Sequence, residues 1–248
     1  MVQRPRTAPA PRARRDVGPP PLADPALPRT AGDRPRDGPS GPWTERGRPG
    51  WSLDREVEDV VAVVEDIATE SGSAVDVLGH SLGGLLALRA ARATSSIRRL
   101  VVYEPSVNEL ASSPGTIAVI EGHLARGDRT EAVRSLMREV VRMPEDEITY
   151  LESLPSWATR LAAAHTLPRE LGADLVMDPG DLRRITVPVL DVLDGDSPAV
   201  PQAAARILAS TVPHHRLLVL EGQQHVADQL VPEEFARHVL DFLADDRP

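Results

Sequence analysis

Apolar positions along the chain fall into two regimes. Through residues 1–50 only Met1, Val2, Val17, Leu22, Leu27 and Trp43 offer apolar bulk, and no strand alternation or helical period connects them. The same stretch holds twelve of the 24 prolines and six glycines. Such a segment buries too little apolar surface to offset the entropy of ordering it, so it is expected to be a disordered Pro/Arg-rich tail. A basic arm that binds anions is the sharper alternative. From Trp51 the pattern changes. Val57, Val60, Val61, Val64 and Ile67 recur at helical spacing over 53–70, with Ser52 as cap, Asp54, Glu56 and Glu58 near the positive end, and Gly72 as stop. A short apolar run at 75–78 predicts a buried strand, 85–93 a helix and 98–103 a second buried strand.

Residues 114–176 read as mainly helical, in segments near 115–126, 129–142, 145–153 and 157–164 punctuated by Gly127, Pro144, Pro155 and Pro168. A strand–helix rhythm then resumes: strand 187–193, helix 200–210, strand 216–220 and a closing helix at 232–244. Strands alternating with helices predict an α/β fold with a mostly parallel sheet covered on both faces. The domain is expected over 51–248, with 114–182 inserted as a helical lid. Ile117, Ile120, Leu124, Leu136, Val140 and Val141 of that lid are expected to pack against the domain. Packing is also the expected role of Trp157 and His165, which could otherwise face a pocket.

Charge and composition narrow the function. Residues 1–50 carry ten Arg and five acids, whereas the remainder carries 18 Arg and 32 acids; lysine is absent. An acidic body repels phosphate backbones, so no nucleic-acid partner is expected. The lack of cysteine excludes disulfides, thiolate metal sites and thiol nucleophiles, and fits a reducing, cytoplasmic setting. No apolar run is long enough to span a bilayer, and no apolar leader core opens the chain.

The chemistry concentrates at Gly79-His80-Ser81-Leu82-Gly83-Gly84. A serine flanked by glycines, following a buried strand and opening a helix, fits a sharp turn that presents a nucleophile. A serine that merely caps the helix is the plainer alternative. A serine hydroxyl needs a base. His225 follows the last predicted strand and is the candidate; His80 lies in the turn, His123 and His165 in the lid, His214 and His215 before the last strand, and His238 on the final helix. The base needs a carboxylate to orient it. Asp196 after the strand at 187–193 is the first choice, with Asp194 and Glu104 as alternatives. The Leu82 N–H is the candidate oxyanion donor.

The stretches WSLDREVEDVVAVVE, VDVLGHSLGGLLAL, RRLVVYEPSV, AAAHTLPREL, VPVLDVLDGDSP and LEGQQHVA together resemble a lid-bearing bacterial esterase of the α/β-hydrolase superfamily. The resemblance implies a Ser-acid-His hydrolase of a small-molecule ester or related acyl substrate, with no cofactor and no metal. A cofactor-free haloperoxidase or perhydrolase would use the same triad. It also implies earlier strands, ending in apolar-Asp-Arg-x-Gly, and a His-Gly loop that completes the oxyanion hole. Residues 1–50 contain neither, which makes an impaired, non-catalytic relic the competing expectation; loss of one oxyanion donor costs about 10²–10³ in turnover. Pro42-Trp43-Thr44 must be encoded CCN-TGG-ACN. Shifted by one base it reads an apolar residue followed by Asp, and then Arg if the Thr codon ends in C. Residues 1 to about 44 are therefore expected to derive from a shifted reading frame.

Overall fold

The computed structural model describes residues 51–107 and 112–245. The tail, its reading frame and the earlier strands all concern positions outside the described residues.

Helix α1 (Leu53–Ser71) starts where Ser52 Oγ accepts the Arg55 N–H and stops at Gly72, which takes a left-handed φ of 70°. Strand β1 (Val75–His80) leads into α2 (Leu82–Ala93), and β2 (Ile97–Tyr103) follows. The helical block between β2 and β3 comprises α3 (Pro114–Ala125), α4 (Arg129–Ser135), a π-helical turn (Leu136–Val141), α5 (Glu145–Glu152), α6 (Ser156–Ala163), α7 (Leu167–Leu171) and α8 (Pro179–Leu182). The chain then returns through β3 (Val189–Asp194), α9 (Ala199–Thr211), β4 (His215–Leu220), α10 (Ala227–Leu230) and α11 (Pro232–Ala244). The short helices α7, α8 and α10 have too few turns to leave a periodic signature in the sequence. His215 opens β4 instead of preceding it, and its Nε2 lies 3.1 Å from Asp191 Oδ2 with both groups buried.

Among the described residues, four strands form one parallel sheet in the order β1-β2-β3-β4. Alternation along β2 divides the core. Leu100 and Val102 join α1, α2 and α9 on one face, while Val101 and Tyr103 meet Phe235, Val239 and Phe242 of α11 on the other. Burial on both faces explains why RRLVVY reads as a continuous apolar run after its arginines. Those arginines sit at a bulge, where Val75 pairs with Ile97 but Asp76 pairs with Arg99. The extra residue lets Arg98 and Arg99 both reach carbonyls at the end of α11, those of Leu243 and Asp245. The helical block has its own cluster, including Val133, Ile148, Leu151 and Trp157, and this cluster takes in Val226 beside His225. Leu124 and Val141 pack against this cluster and Ile120 is buried; His165, expected to pack, is instead exposed, its ring Nδ1 3.0 Å from the Ala162 carbonyl.

Candidate active site

Ser81 stands at the end of β1 with φ 55° and ψ −121°, outside the regions an L-residue ordinarily occupies. The turn is fixed on both sides. The Ser81 N–H donates to the Tyr103 carbonyl at 2.9 Å, and its carbonyl accepts from Gly84, Leu85 and Ser106 at 2.9, 3.3 and 3.1 Å. The glycines are steric necessities at two positions. A Cβ on Gly79 would press on the Gly83 carbonyl and lie 2.8 Å from Gly84 Cα; one on Gly84 would lie 2.8 Å from Pro105 Cβ. Leu82 opens α2, so its N–H has no acceptor within the helix. The Ser81 hydroxyl sits 3.5 Å from Ser106 Oγ. Ser106 is buried and carries no sequence signal of its own.

His225 occupies the loop after β4 with φ 60°. Its Nδ1 lies 2.7 Å from Glu104 Oε2, and the Glu104 side chain is fully buried. Glu104, which follows β2, also has a positive φ, 42°. Its second oxygen, Oε1, accepts the Asp194 N–H at 3.0 Å. The carboxylate is thus held at both oxygens, as an imidazole-orienting group requires.

Asp196, the first choice from sequence as the carboxylate beside His225, does not reach it. The turn after β3 closes with the Ser197 N–H on the Asp194 carbonyl at 3.2 Å, and the Asp196 N–H donates to the Gln223 carbonyl at 3.0 Å. That geometry leaves Asp196 exposed. Asp194 is fully buried but is engaged elsewhere: its Oδ2 accepts the Tyr103 hydroxyl. Burial raises the Asp194 carboxyl to about 6, against which the Tyr103 hydrogen bond works. Glu104 was legible as a carboxylate ending a buried strand at the same sheet edge as Ser81. What the sequence lacked was the register, Tyr103 beside Val192, that sets Glu104 next to the end of β3.

Two further rings enclose the imidazole. His80 stacks on Tyr103 with centroids 4.5 Å apart and lies 4.6 Å from the His225 ring. Burial first, then the charges of His225 and Arg160, lower the His80 pKa to about 3, so this ring is neutral. Arg160 is carried by α6, one turn beyond Ser156, whose hydroxyl donates to Gln229 Oε1 of α10 at 3.3 Å. Among the described residues no cluster of three or more His, Asp or Glu side chains is placed to hold a metal ion, and no helix is long and apolar enough to cross a membrane.

Comparison with known proteins places this geometry. A model of the alpha/beta hydrolase family matches residues 8–238. A 2-hydroxymuconate semialdehyde hydrolase of Pseudomonas putida is 29% identical over 210 residues, covering 82% of this chain and 73% of its own length. A pimeloyl-[acyl-carrier protein] methyl ester esterase of Neisseria meningitidis serogroup B is 28% identical over 194 residues, 75% of each chain. Among solved structures, an alpha/beta hydrolase from Sphaerobacter thermophilus DSM 20745 superposes with a TM-score of 0.65 at 32% identity, covering 79% of this chain and 76% of that one. The strained serine turn, the parallel sheet behind it and the family match over most of the sequence agree, and the chain belongs to the alpha/beta hydrolase family.

Proposed function

We propose that the protein is a serine hydrolase of a small ester or related acyl substrate, with Ser81 as nucleophile, His225 as general base and Glu104 as the orienting acid. The observation that carries this reading is the 2.7 Å contact between His225 Nδ1 and the buried Glu104 carboxylate, at the same end of the sheet as the Ser81 turn. A carboxylate on Nδ1 keeps that nitrogen protonated and leaves Nε2 free to accept the serine proton. Ser81 Oγ then attacks the substrate carbonyl. The oxyanion that forms takes the Leu82 N–H as one donor. His225 returns its proton to the leaving oxygen, and a water activated by the same imidazole releases the acid. The scheme draws only on protein groups and water.

Rotation of the Ser81 hydroxyl from Ser106 toward His225 is the movement that readies the site; such contacts are often loose before substrate arrives. The two curated relatives, one named for a semialdehyde and one for a methyl ester, support attack at a carbonyl carbon as the shared chemistry. Labelling with a fluorophosphonate and hydrolysis of short-chain nitrophenyl esters test the reading. Ser81→Ala is expected to abolish labelling and to lower turnover about 10⁴-fold or more. A folded wild-type chain that leaves Ser81 unlabelled would overturn it.

A further inference from the structure

The mechanism leaves one buried group unused. Asp194 ends β3 fully buried, yet the imidazole Nδ1 takes Glu104 and not Asp194 as its partner; the Asp194 Oδ2 accepts the hydroxyl of Tyr103, itself fully buried at the end of β2. The same phenolic oxygen accepts the N–H of Ala227 at 2.7 Å. Ala227 opens α10, two residues after His225. A chain therefore runs from the β3 carboxylate through the β2 tyrosine to the backbone of the loop that carries the base.

That loop needs external support. His225 sits at φ 60°, a conformation that persists only where its surroundings dictate it. Gln224 Nε2 holds the loop before His225 by donating to the Arg142 carbonyl at 2.8 Å, and the Tyr103 hydroxyl holds it after. The arrangement is poor as packing alone. A carboxylate buried against a tyrosine is a cost that an apolar pair of similar volume would avoid. The Asp194 N–H also secures Glu104 Oε1, so one residue anchors both the acid and, through Tyr103, the base.

We propose that Tyr103 and Asp194 are positioning residues, joined by the Tyr103 hydroxyl between Asp194 Oδ2 and the Ala227 N–H, that fix His225 against Glu104. The proposal rests on the Ser81–His225–Glu104 reading and can fail without it. Asp194→Asn keeps an oxygen acceptor for Tyr103, whereas Tyr103→Phe and Asp194→Leu break the chain. The direct readout on the full chain is the downfield proton signal of His225 Nδ1–H, which reports its hydrogen bond to Glu104 whether or not turnover is measured. It is expected to be lost in Tyr103→Phe and Asp194→Leu and kept in Asp194→Asn. Turnover of nitrophenyl acetate should fall about 10²-fold in the first two with KM within about twofold, and stay near wild type in Asp194→Asn. Melting curves identify any variant that unfolds, and the other chain-breaking variant then carries the test. An unchanged signal in folded Tyr103→Phe or Asp194→Leu overturns the proposal. Glu104→Gln and Ser81→Ala run beside them; if those two retain turnover, the triad reading itself fails.

Discussion

Among the described residues, four non-glycines adopt a positive φ: Ser81, Glu104, Arg142 and His225. Each such residue costs on the order of 1–3 kcal/mol, so their distribution carries information. Three are the residues assigned to the triad, and the fourth lends its carbonyl to the loop beside His225. Strain concentrated this way points to Glu104 and not Asp196 as the acid. The distinction is measurable. Glu104→Gln keeps shape but offers an amide to Nδ1, disturbing the tautomer and leaving the imidazolium unstabilised; turnover is expected to fall about 10⁴-fold. Asp196→Asn, at an exposed position, is expected to leave turnover within about twofold. Equal losses in the two variants would reverse the assignment. The sequence supplied all three carboxylates, since any acid ending a strand at this sheet edge qualifies. It could not choose among them, because the choice depends on strand register and on a turn at 194–197 whose hydrogen bonds aim Asp196 outward.

At the scale of elements, the β1–turn–α2 unit was the most legible part of the chain, because its constraints are local. A buried strand, a strained serine and a helix must meet where side chains do not fit, and glycine is the only residue that permits it. The motif's glycines are nevertheless not equivalent. At Gly79 an added methyl group meets the backbone of Gly83 and Gly84, which cannot move without displacing Ser81. At Gly83 nothing lies within 4 Å of an added Cβ. Gly79→Ala is therefore expected to lower stability by about 1–3 kcal/mol and to abolish fluorophosphonate labelling. Gly83→Ala, inside α2, should be neutral or stabilise by about 0.5–1 kcal/mol, since alanine is the better helix former. Thermal melts with labelling of the same samples check both. The helical block between β2 and β3 was legible only as a set of helices. Its attachment to the site through Val226, Gln224 and Ser156 joins positions far apart in sequence, where periodicity carries no signal.

At the scale of the whole molecule, buried ionisable groups oppose one another. Asp194, raised to about 6 by burial, binds a proton in the folded chain over a range where the unfolded chain, near 3.8, has released it. Its contribution therefore favours the fold below about pH 4 and is lost as pH rises through about 6. Glu147, Asp191 and Asp228 shift in the same direction, each chiefly by burial. His80 acts the other way. Lowered from 6.5 to about 3, it must be neutral in the folded chain, so its contribution is present above about pH 6.5 and is lost as pH falls toward 3. Between about pH 4 and 6 the Asp194 and His80 slopes cancel, and the wild-type melting temperature is a poor probe of either group. A difference measurement separates them. Asp194→Asn keeps the acceptor for Tyr103 and removes the ionisation, so its melting temperature should gain on wild type as pH rises from 4 to 8, with most of the change between 4 and 6. His80→Asn should instead gain on wild type as pH falls below 6.5. A flat Asp194→Asn difference across this range would mean that the carboxyl is solvated in solution, and that the buried link through Tyr103 to the His225 loop does not form.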